Sequence, residues 1–256
     1  MSHGQLLAAI TGGTQSGDSL QAEGTTAQMG IITIRGALKG LFKANGGAAG
    51  KYTDLVLDEK SIARGDYKQH LGGGSDAWDA RGRFQLQLLC AGGLQPSSTL
   101  LDIGCGPLRA GVHLIRYLDA GNYYGFDYNA SFVAAGQRLI GENNLAAKRP
   151  TVVALSNFML RTIDRKFDHA IAFSVLNHCS AEQRQLFFAN IGHCLAPGAK
   201  LFISHAGWLT EADIAPARLV VQRRFGVADL DLARYGWQAA EQYSVCPIYE
   251  LGQLPD

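Results

Sequence analysis

The chain has 256 residues, 47% of them hydrophobic and 18% charged, and its formal net charge at pH 7 is +1. This composition predicts a globular protein with a sizeable core. So small a net charge argues against a broad nucleic-acid interface or a surface for acidic membranes. The 5 cysteines form no CxxC pair, which favours reduced thiols over disulfides or a zinc site. The sequence shows neither a signal peptide nor a run of about 20 apolar residues, so we expect a cytoplasmic protein without a membrane segment.

The first part of the chain differs in character from the rest. Residues 1–50 mix small, polar and apolar side chains without a sustained period, and we expect this extension to be partly mobile. Residues 51–97 are expected to form a helical lid, with a helix that starts near Ser75 and ends near Cys90. Residues 98–256 are then predicted to form the main domain.

After Pro96, short apolar runs alternate with stretches of helical periodicity. Strands are predicted over residues 100–103, 122–127, 151–155, 168–173 and 200–204, with a further one near 245–251. Helices are predicted over residues 110–118, 130–141 and 181–195, the last with Leu186, Phe187 and Ile191 facing the core. Such alternation predicts an α/β fold, a doubly wound and mostly parallel sheet with right-handed crossovers.

A glycine-rich turn, Asp102–Gly111, follows the first predicted strand, and Asp127 ends the second. Glycine allows a ligand to approach the backbone closely because it has no Cβ. In open α/β sheets, ligands bind at the carboxyl ends of the strands. A carboxylate at position 127 can accept both hydroxyls of a ribose, so these features predict a ligand that contains a nucleoside.

The details of this turn argue against a dinucleotide. A dinucleotide fingerprint reads GxGxxG, but its third glycine position is Arg109 here, and the next glycine is Gly111. Asp102 also precedes the first glycine by two residues. A carboxylate there would repel a pyrophosphate and would suit a cationic ligand. A nicotinamide-dependent oxidoreductase is therefore the weaker alternative.

Five segments in order resemble class I S-adenosylmethionine-dependent methyltransferases, specifically their bacterial small-molecule branch. They are Asp102–Gly106, Tyr124–Asp127, Ser156–Phe158, Phe167–His178 and Leu195–Gly198. The resemblance implies a seven-stranded Rossmann-like sheet, S-adenosyl-L-methionine as cofactor and methyl transfer as activity. The stretch His70–Trp78 also resembles a segment that closes over the cofactor in this branch.

The resemblance also implies a role for each matching residue. The backbone at Gly104 and Gly106 would hold the methionine part of the cofactor, and Asp102 would face its amino group. Asp127 would bind the ribose, and Ser174 would border the methyl group. The full set of expected cofactor-binding residues is His70, Trp78, Asp102, Gly104, Cys105, Gly106, Asp127, Tyr128, Asn157, Phe158 and Ser174. Trp78 is equally well explained as a core anchor, and the Cys105 thiol as a buried filler.

Methyl transfer from a sulfonium requires in-line alignment and exclusion of water rather than covalent help from the protein. A base assists when the acceptor is a hydroxyl or an ammonium, and histidine is the usual one near neutral pH. His178, just past the fourth strand, is the best-placed candidate and His205 is the second, although a structural role is open for both. The histidines and carboxylates show no metal-binding pattern, so no metal is expected.

We therefore expect methyl transfer to an oxygen or nitrogen of a small-molecule acceptor, without nucleic acid or membrane as partner. A non-catalytic nucleoside-binding scaffold is the remaining alternative. The oligomeric state is left open, a homodimer included.

Overall fold

Seven strands form one sheet in the computed structural model, which describes residues 55–72, 75–156, 158–238, 241–242 and 245–254. All of these residues lie within one unit, Gly46–Asp256. The strands are β1 (Leu100–Ile103), β2 (Tyr123–Asp127), β3 (Thr151–Ala154), β4 (Phe167–Ala172), β5 (Leu195–Ile203), β6 (Leu219–Phe225) and β7 (Ile248–Gln253). The helices are α1 (Glu59–Arg64), α2 (Tyr67–Gly72), α3 (Ser75–Ala91), α4 (Gly111–Tyr117), α5 (Ala130–Glu142), α6 (Ala181–Ile191) and α7 (Glu211–Ile214).

The strand order is β3-β2-β1-β4-β5-β7-β6. Strands β1 to β5 pair in parallel, and β7 is antiparallel to both of its neighbours. The chain winds outward from β1 to β3 and then returns to place β4 on the other side of β1. This switch opens a crevice at the carboxyl ends of β1 and β4, where α/β sheets bind ligands. The predicted fold class, a doubly wound and mostly parallel sheet of seven strands, is confirmed.

Both faces of the sheet are buried, as expected of parallel strands. Within β1, Leu100 joins one core cluster while Leu101 and Ile103 join the other, because successive side chains point to opposite faces. The first cluster includes residues of α3, α4 and α5, and the second includes residues of α6. The central strands therefore contribute almost nothing to the surface, and the chemistry is left to the loops at their ends.

Three expectations about α6 and β5 are wrong. The helix ends at Ile191 rather than near residue 195, and β5 already begins at Leu195. Leu186 is 43% exposed, whereas Phe188 is 1% exposed and takes the inward position. A capping box at Ser180 fixes the start of the helix, and from that start Phe187, Phe188 and Ile191 share the buried face.

The described part of the segment predicted to be a lid packs on α5 through a third core cluster. Leu57, Tyr67 and Trp78 contact Phe132 and other residues of α5. Two hydrogen bonds fasten its first described residues to the start of α5: Nδ2 of Asn129 donates to the carbonyl of Leu55 (2.5 Å), and the N–H of Leu57 donates to Oγ of Ser131 (3.0 Å). None of the described helices is both long and apolar enough to cross a membrane.

A buried carboxylate ties the antiparallel edge of the sheet to α3. Glu250 on β7 is 1% exposed and binds Nζ of Lys200 (2.9 Å) and Nε of Arg223 (2.5 Å). The same two cations donate to the last carbonyls of the α3 region, Lys200 to Gly92 and Arg223 to Ala91. Cations at the carboxyl end of a helix are favourable, so the network both neutralises Glu250 and stabilises the helix end.

We expect Glu250→Gln to lower the free energy of unfolding by about 1–3 kcal/mol, because two cations lose their charged partner. The side chains of Lys200 and Arg223 are 31% and 43% exposed. Because solvent reaches both cations, the loss of stability should be smaller than for a fully buried ion pair. Urea denaturation measures the effect. The control is Glu142→Gln, which breaks the exposed pair with Arg138 and should change stability by less than about 0.5 kcal/mol. Equal losses in the two variants would contradict this account of Glu250.

Candidate active site

The glycine turn after β1 forms the floor of the crevice. Gly104 and Gly106 have φ values of +65° and +54°, a conformation that side chains with a Cβ rarely adopt. A Cβ on Gly104 would lie 2.5 Å from a methyl group of Val175, so this glycine also allows the loop after β4 to approach. A Cβ on Gly106 would meet nothing within 4 Å. The turn is therefore tightly held at its first glycine and open at its second, where a ligand can lie against the backbone.

Asp127 holds this turn from the end of β2. Its Oδ2 accepts a hydrogen bond from the N–H of Gly106 (2.8 Å), and its Oδ1 accepts one from the N–H of Asn129 (2.8 Å). Burial raises the pKa of Asp127, and the two backbone donors oppose that effect. Each carboxylate oxygen keeps a further lone pair, so two hydroxyl groups can still be accepted. The geometry thus suits the ribose role that the sequence predicts for this residue.

Asp102, which the sequence analysis placed beside a cationic group, is 5% exposed. The hydroxyl of Tyr123 donates to its Oδ2 (2.7 Å). Burial raises the pKa of Asp102 to about 7; the hydrogen bond from Tyr123 and the charge of Arg109 oppose the rise, and Asp127 adds to it. The site therefore contains a carboxyl group that titrates near neutral pH.

Tyr123 was not predicted as a site residue. The sequence feature that could have indicated it is Gly111, which lies two residues after the third glycine position of a dinucleotide motif. A Cβ on either Gly111 or Gly125 would lie 2.8 Å from the Tyr123 hydroxyl. Both glycines thus make room for the tyrosine that binds Asp102. Gly111 therefore makes room for a tyrosine hydroxyl, whereas the third glycine of a dinucleotide site allows the helix to pack closely.

Arg109, at that third glycine position, fastens the lid segment to the turn. Its NH1 group donates to the carbonyl of Leu71 (2.9 Å), and its guanidinium lies 5.6 Å from the centre of the Trp78 ring. Trp78 is 7% exposed and packs edge to face on Tyr67. The structure thus places Trp78 in the anchor of the lid, directly beside the glycine turn, and a cofactor contact for it remains a prediction.

The other expected cofactor residues lie around the same crevice or outside the described part of the chain. Cys105 is 7% exposed and burial raises the pKa of its thiol, which makes it a poor nucleophile, as expected of a filler. Tyr128 is 46% exposed beside Asp127. Phe158 has a φ of +47° and packs edge to face on Phe187. Asn157 and the side chain of His70 fall outside the described residues, so their predicted roles are not assessed.

The loops after β4 and β5 are joined to each other. The N–H of Ser174, a residue with a φ of +58°, donates to Oγ of Ser204 (2.7 Å). This hydrogen bond joins the two loops on the side of the crevice where the sequence analysis expects the methyl group. Ser204 is 1% exposed and was not predicted as a site residue, because its role depends on a neighbouring loop that is distant in sequence.

Both histidines proposed as bases lie in these loops. His178 ends a 3₁₀ turn, Leu176–His178, and its Nε2 lies 3.2 Å from Nδ2 of Asn177. His205 has a φ of +61°, and its N–H donates to the carbonyl of Val245 (3.1 Å). Burial lowers the pKa of both imidazoles, and the charge of His178 lowers that of His205 further. The fold therefore brings the two residues together and keeps them neutral at physiological pH.

The described residues contain no group of three or more His, Cys, Asp or Glu side chains that could hold a metal ion. What the crevice offers instead is an open glycine backbone, two buried carboxyl groups and two neutral histidines. This set can hold a cationic nucleoside compound and accept a proton from a second substrate.

Comparison with known proteins agrees with this assignment. Residues 101–201 match the model of a family described as a methyltransferase domain. No curated protein matches the chain. Magnesium protoporphyrin IX methyltransferase from Synechocystis, solved with S-adenosylmethionine bound, is similar in structure at 19% identity, with 78% of this chain and 99% of that one covered and a TM-score of 0.56. A TehB-like S-adenosylmethionine-dependent methyltransferase from Corynebacterium glutamicum is 17% identical, with 77% and 97% covered and a TM-score of 0.51.

The strand order, with antiparallel β7 between β5 and β6, and the glycine turn beside Asp127 define a Rossmann-like methyltransferase fold. Residues 101–201 carry a methyltransferase domain, and the chain has the fold of class I S-adenosylmethionine-dependent methyltransferases. The family, the enzyme class and the cofactor predicted from the five sequence segments are thereby confirmed, and the oxidoreductase alternative is set aside.

We expect Asp102→Asn to change how stability depends on pH. The carboxyl pKa is about 7 in the folded chain against an ordinary value of 3.8, so between these values the folded chain keeps a proton that the unfolded chain has lost. The free energy of unfolding of the wild type therefore falls as the pH rises through this interval, by an amount on the order of a few kcal/mol.

The asparagine variant lacks this loss, so its stability relative to the wild type should increase from about pH 5 to about pH 8 in urea denaturation experiments. Asp119→Asn, at an exposed position, is the control and should follow the wild-type curve. Parallel curves for Asp102→Asn and the wild type would show that Asp102 does not titrate in this interval.

Proposed function

We propose that this methyltransferase transfers the methyl group of S-adenosylmethionine to an oxygen or nitrogen atom of a small-molecule acceptor. The observation that carries the proposal is the carboxylate of Asp127, which holds the open glycine turn through Gly106 at the switch point of the sheet. A nucleoside whose ribose binds this carboxylate would place the rest of the molecule along the turn, toward the loops after β4 and β5.

The residues of the crevice fit this cofactor. The open space over Gly106 admits the methionine part against the backbone. Asp102 lies within the same floor, and an ammonium group beside it would favour the ionised carboxylate and lower its pKa. Tyr128 and Phe158 flank the end of β2 and β3 and supply aromatic surface for the adenine. When bound, the cofactor supplies an already activated methyl group.

The protein then has to orient the acceptor, exclude water and remove a proton. The loop that contains Ser174 is bound to Ser204, so this hydrogen bond would help to hold the wall of the crevice predicted to border the methyl group. Orientation of this kind can contribute roughly 7–11 kcal/mol to lowering the barrier in favourable systems. His178 and His205 are neutral and lie in this wall, so either can take the proton of a hydroxyl or an ammonium.

A small acceptor is supported by the net charge of +1, which provides no broad attraction for nucleic acid. The similar protein from Synechocystis is named as a magnesium protoporphyrin IX methyltransferase, and the one from Corynebacterium glutamicum is described as TehB-like. We expect the residues that select the acceptor to lie in the predicted lid and in the segment after β5, outside the segments that resemble the cofactor motifs.

We expect Asp127→Ala to weaken the binding of S-adenosylmethionine roughly ten- to a hundredfold. A hydrogen bond to a charged group contributes about 1.5–3 kcal/mol, and the substitution also releases the N–H of Gly106. Isothermal titration calorimetry with the cofactor and with its demethylated product measures this effect. Asp119→Ala removes an exposed carboxylate outside the crevice and should keep the wild-type affinity. An unchanged affinity in Asp127→Ala would refute the ribose assignment.

Turnover against a panel of small hydroxyl- and amine-containing compounds tests the transfer reaction. We expect the demethylated cofactor to form together with a product heavier by one methylene unit. If the wild type binds S-adenosylmethionine but methylates only protein or nucleic acid in a parallel panel, the small-molecule proposal is wrong. If it methylates nothing, the scaffold alternative gains support.

A further inference from the structure

A cavity lies at the edge of the sheet opposite to the crevice. It has a volume of about 280 Å³ and lies between the end of α6, the 3₁₀ turn before β6 (Ala215–Ala217) and the end of β7. The end of α6 precedes the first residue of β5, so this cavity borders the amino ends of the parallel strands. Small-molecule sites start at roughly 300 Å³, so the cavity has room for more than a single ion.

The described residues that line this cavity carry positive charge and no negative charge. Arg161 and Arg218 contribute two guanidinium groups and His193 an imidazole, while aspartate and glutamate are absent from this described lining. A guanidinium presents a planar fork of N–H donors that matches two oxygens of a phosphate or a carboxylate. The composition of the lining therefore favours an anion.

Arg161 reaches the cavity with most of its hydrogen-bonding capacity unused. Its Nε donates to Oδ1 of Asn190 (2.8 Å), which orients the guanidinium from α6. Its two terminal nitrogens have no hydrogen-bond partner among the residues that the structure describes. These nitrogens can bind two oxygens of an anion without breaking an existing contact.

Arg218 and Gln253 approach the cavity from the antiparallel edge of the sheet. Arg218 has a φ of +55°, and its backbone is held by the carbonyl of Ala215 and by the N–H of Leu254 (both 2.9 Å). Oε1 of Gln253 is buried, and this side chain makes no hydrogen bond to the described residues. Turning the amide toward an anion therefore costs no hydrogen bond, and its Nε2 can then donate to the ligand.

The carboxyl end of α6 also borders the cavity, and the end of a helix where carbonyls are exposed repels anions. Two of the carbonyls there are occupied. The N–H of Cys194 donates to the carbonyl of Ile191 (2.9 Å), and Nζ of Lys166 donates to that of His193 (2.6 Å). Lys166 also brings a further cation to this end of the helix, which offsets the repulsion of an anion.

We propose that this cavity is a binding site for a phosphate group, with Arg161 and Arg218 binding its oxygens. A phosphate monoester offers three oxygens and a charge of about −1.5 to −2 near neutral pH, enough for two guanidinium groups that approach from different elements. A carboxylate has only two oxygens and a single charge. The phosphate belongs either to a small organic compound or to free inorganic phosphate, and the site is independent of the methyl-transfer crevice.

NMR titration of the ¹⁵N-labelled full chain tests the proposal, with backbone amides and arginine side chains as the readout. Glycerol 3-phosphate, inorganic phosphate and acetate are added separately at constant ionic strength. We expect saturable shifts at Arg161, Arg218 and Gln253 with both phosphates, at least about tenfold weaker binding of acetate, and no shift in the glycine turn after β1. Tighter binding of glycerol 3-phosphate supports an organic phosphate as ligand, and equal or weaker binding supports the free ion.

Three variants show whether the arginines of the cavity are responsible. Arg161→Gln and Arg218→Asn, the latter chosen because asparagine tolerates a positive φ, should each weaken phosphate binding about ten- to a hundredfold. The matched control is Arg116→Gln, which removes an exposed arginine that likewise donates to an asparagine, Asn143, outside the cavity, and it should bind as the wild type does.

Shifts that never saturate, equal binding of acetate and phosphate, or unchanged phosphate affinity in Arg161→Gln would each overturn the proposal. Arg161 is exposed, so this variant is expected to fold, and its amide spectrum in the absence of phosphate verifies that it does.

Discussion

The hydrogen bonds of one carboxylate organise the cofactor end of this protein. Asp127 binds the backbone of the glycine turn at Gly106 and the backbone at the start of α5 at Asn129. The turn adopts positive φ values that ordinary residues avoid, so it needs such an external tie to keep its shape. Asn129 in turn caps α5 and holds the lid segment at Leu55. A ribose bound to Asp127 would therefore contact the point where the turn, the second strand and the lid meet.

A second set of contacts distinguishes this crevice from a dinucleotide site. Arg109 occupies the position of the third glycine and binds the lid through Leu71 and Trp78. Gly111, two residues later, makes room for the Tyr123 hydroxyl that binds Asp102. The turn thus lies beside the buried carboxyl group of Asp102, which would repel a phosphate. Such a carboxyl group agrees with a cofactor that carries positive charge at its sulfur and its ammonium.

Much of the fold could be predicted from the sequence, because the buried parallel strands contain short apolar runs, and β1 is followed by a glycine and β2 ends at an aspartate. Strand β6 could not, since Val220 and Val221 are exposed and the strand carries charged residues where an inward face would show alternation. Leu186 was misplaced because an apolar residue near the edge of a helical stripe looks the same as one within it.

For the site, the motif residues after β1 and β2 were recognisable because their spacing depends on local backbone geometry. The contacts of Tyr123 with Asp102 and of Ser174 with Ser204 join residues 21 and 30 positions apart. Such pairings depend on how the loops pack, which a single sequence does not specify.

The most direct measurement is a crystal structure of the protein with the demethylated cofactor bound. The ribose hydroxyls should lie within hydrogen-bond distance of the two oxygens of Asp127, the amino-acid part should follow the turn over Gly106, and the sulfur should face the loops of Ser174 and His205. A cofactor bound elsewhere, or one whose ribose lies away from Asp127, would contradict the account.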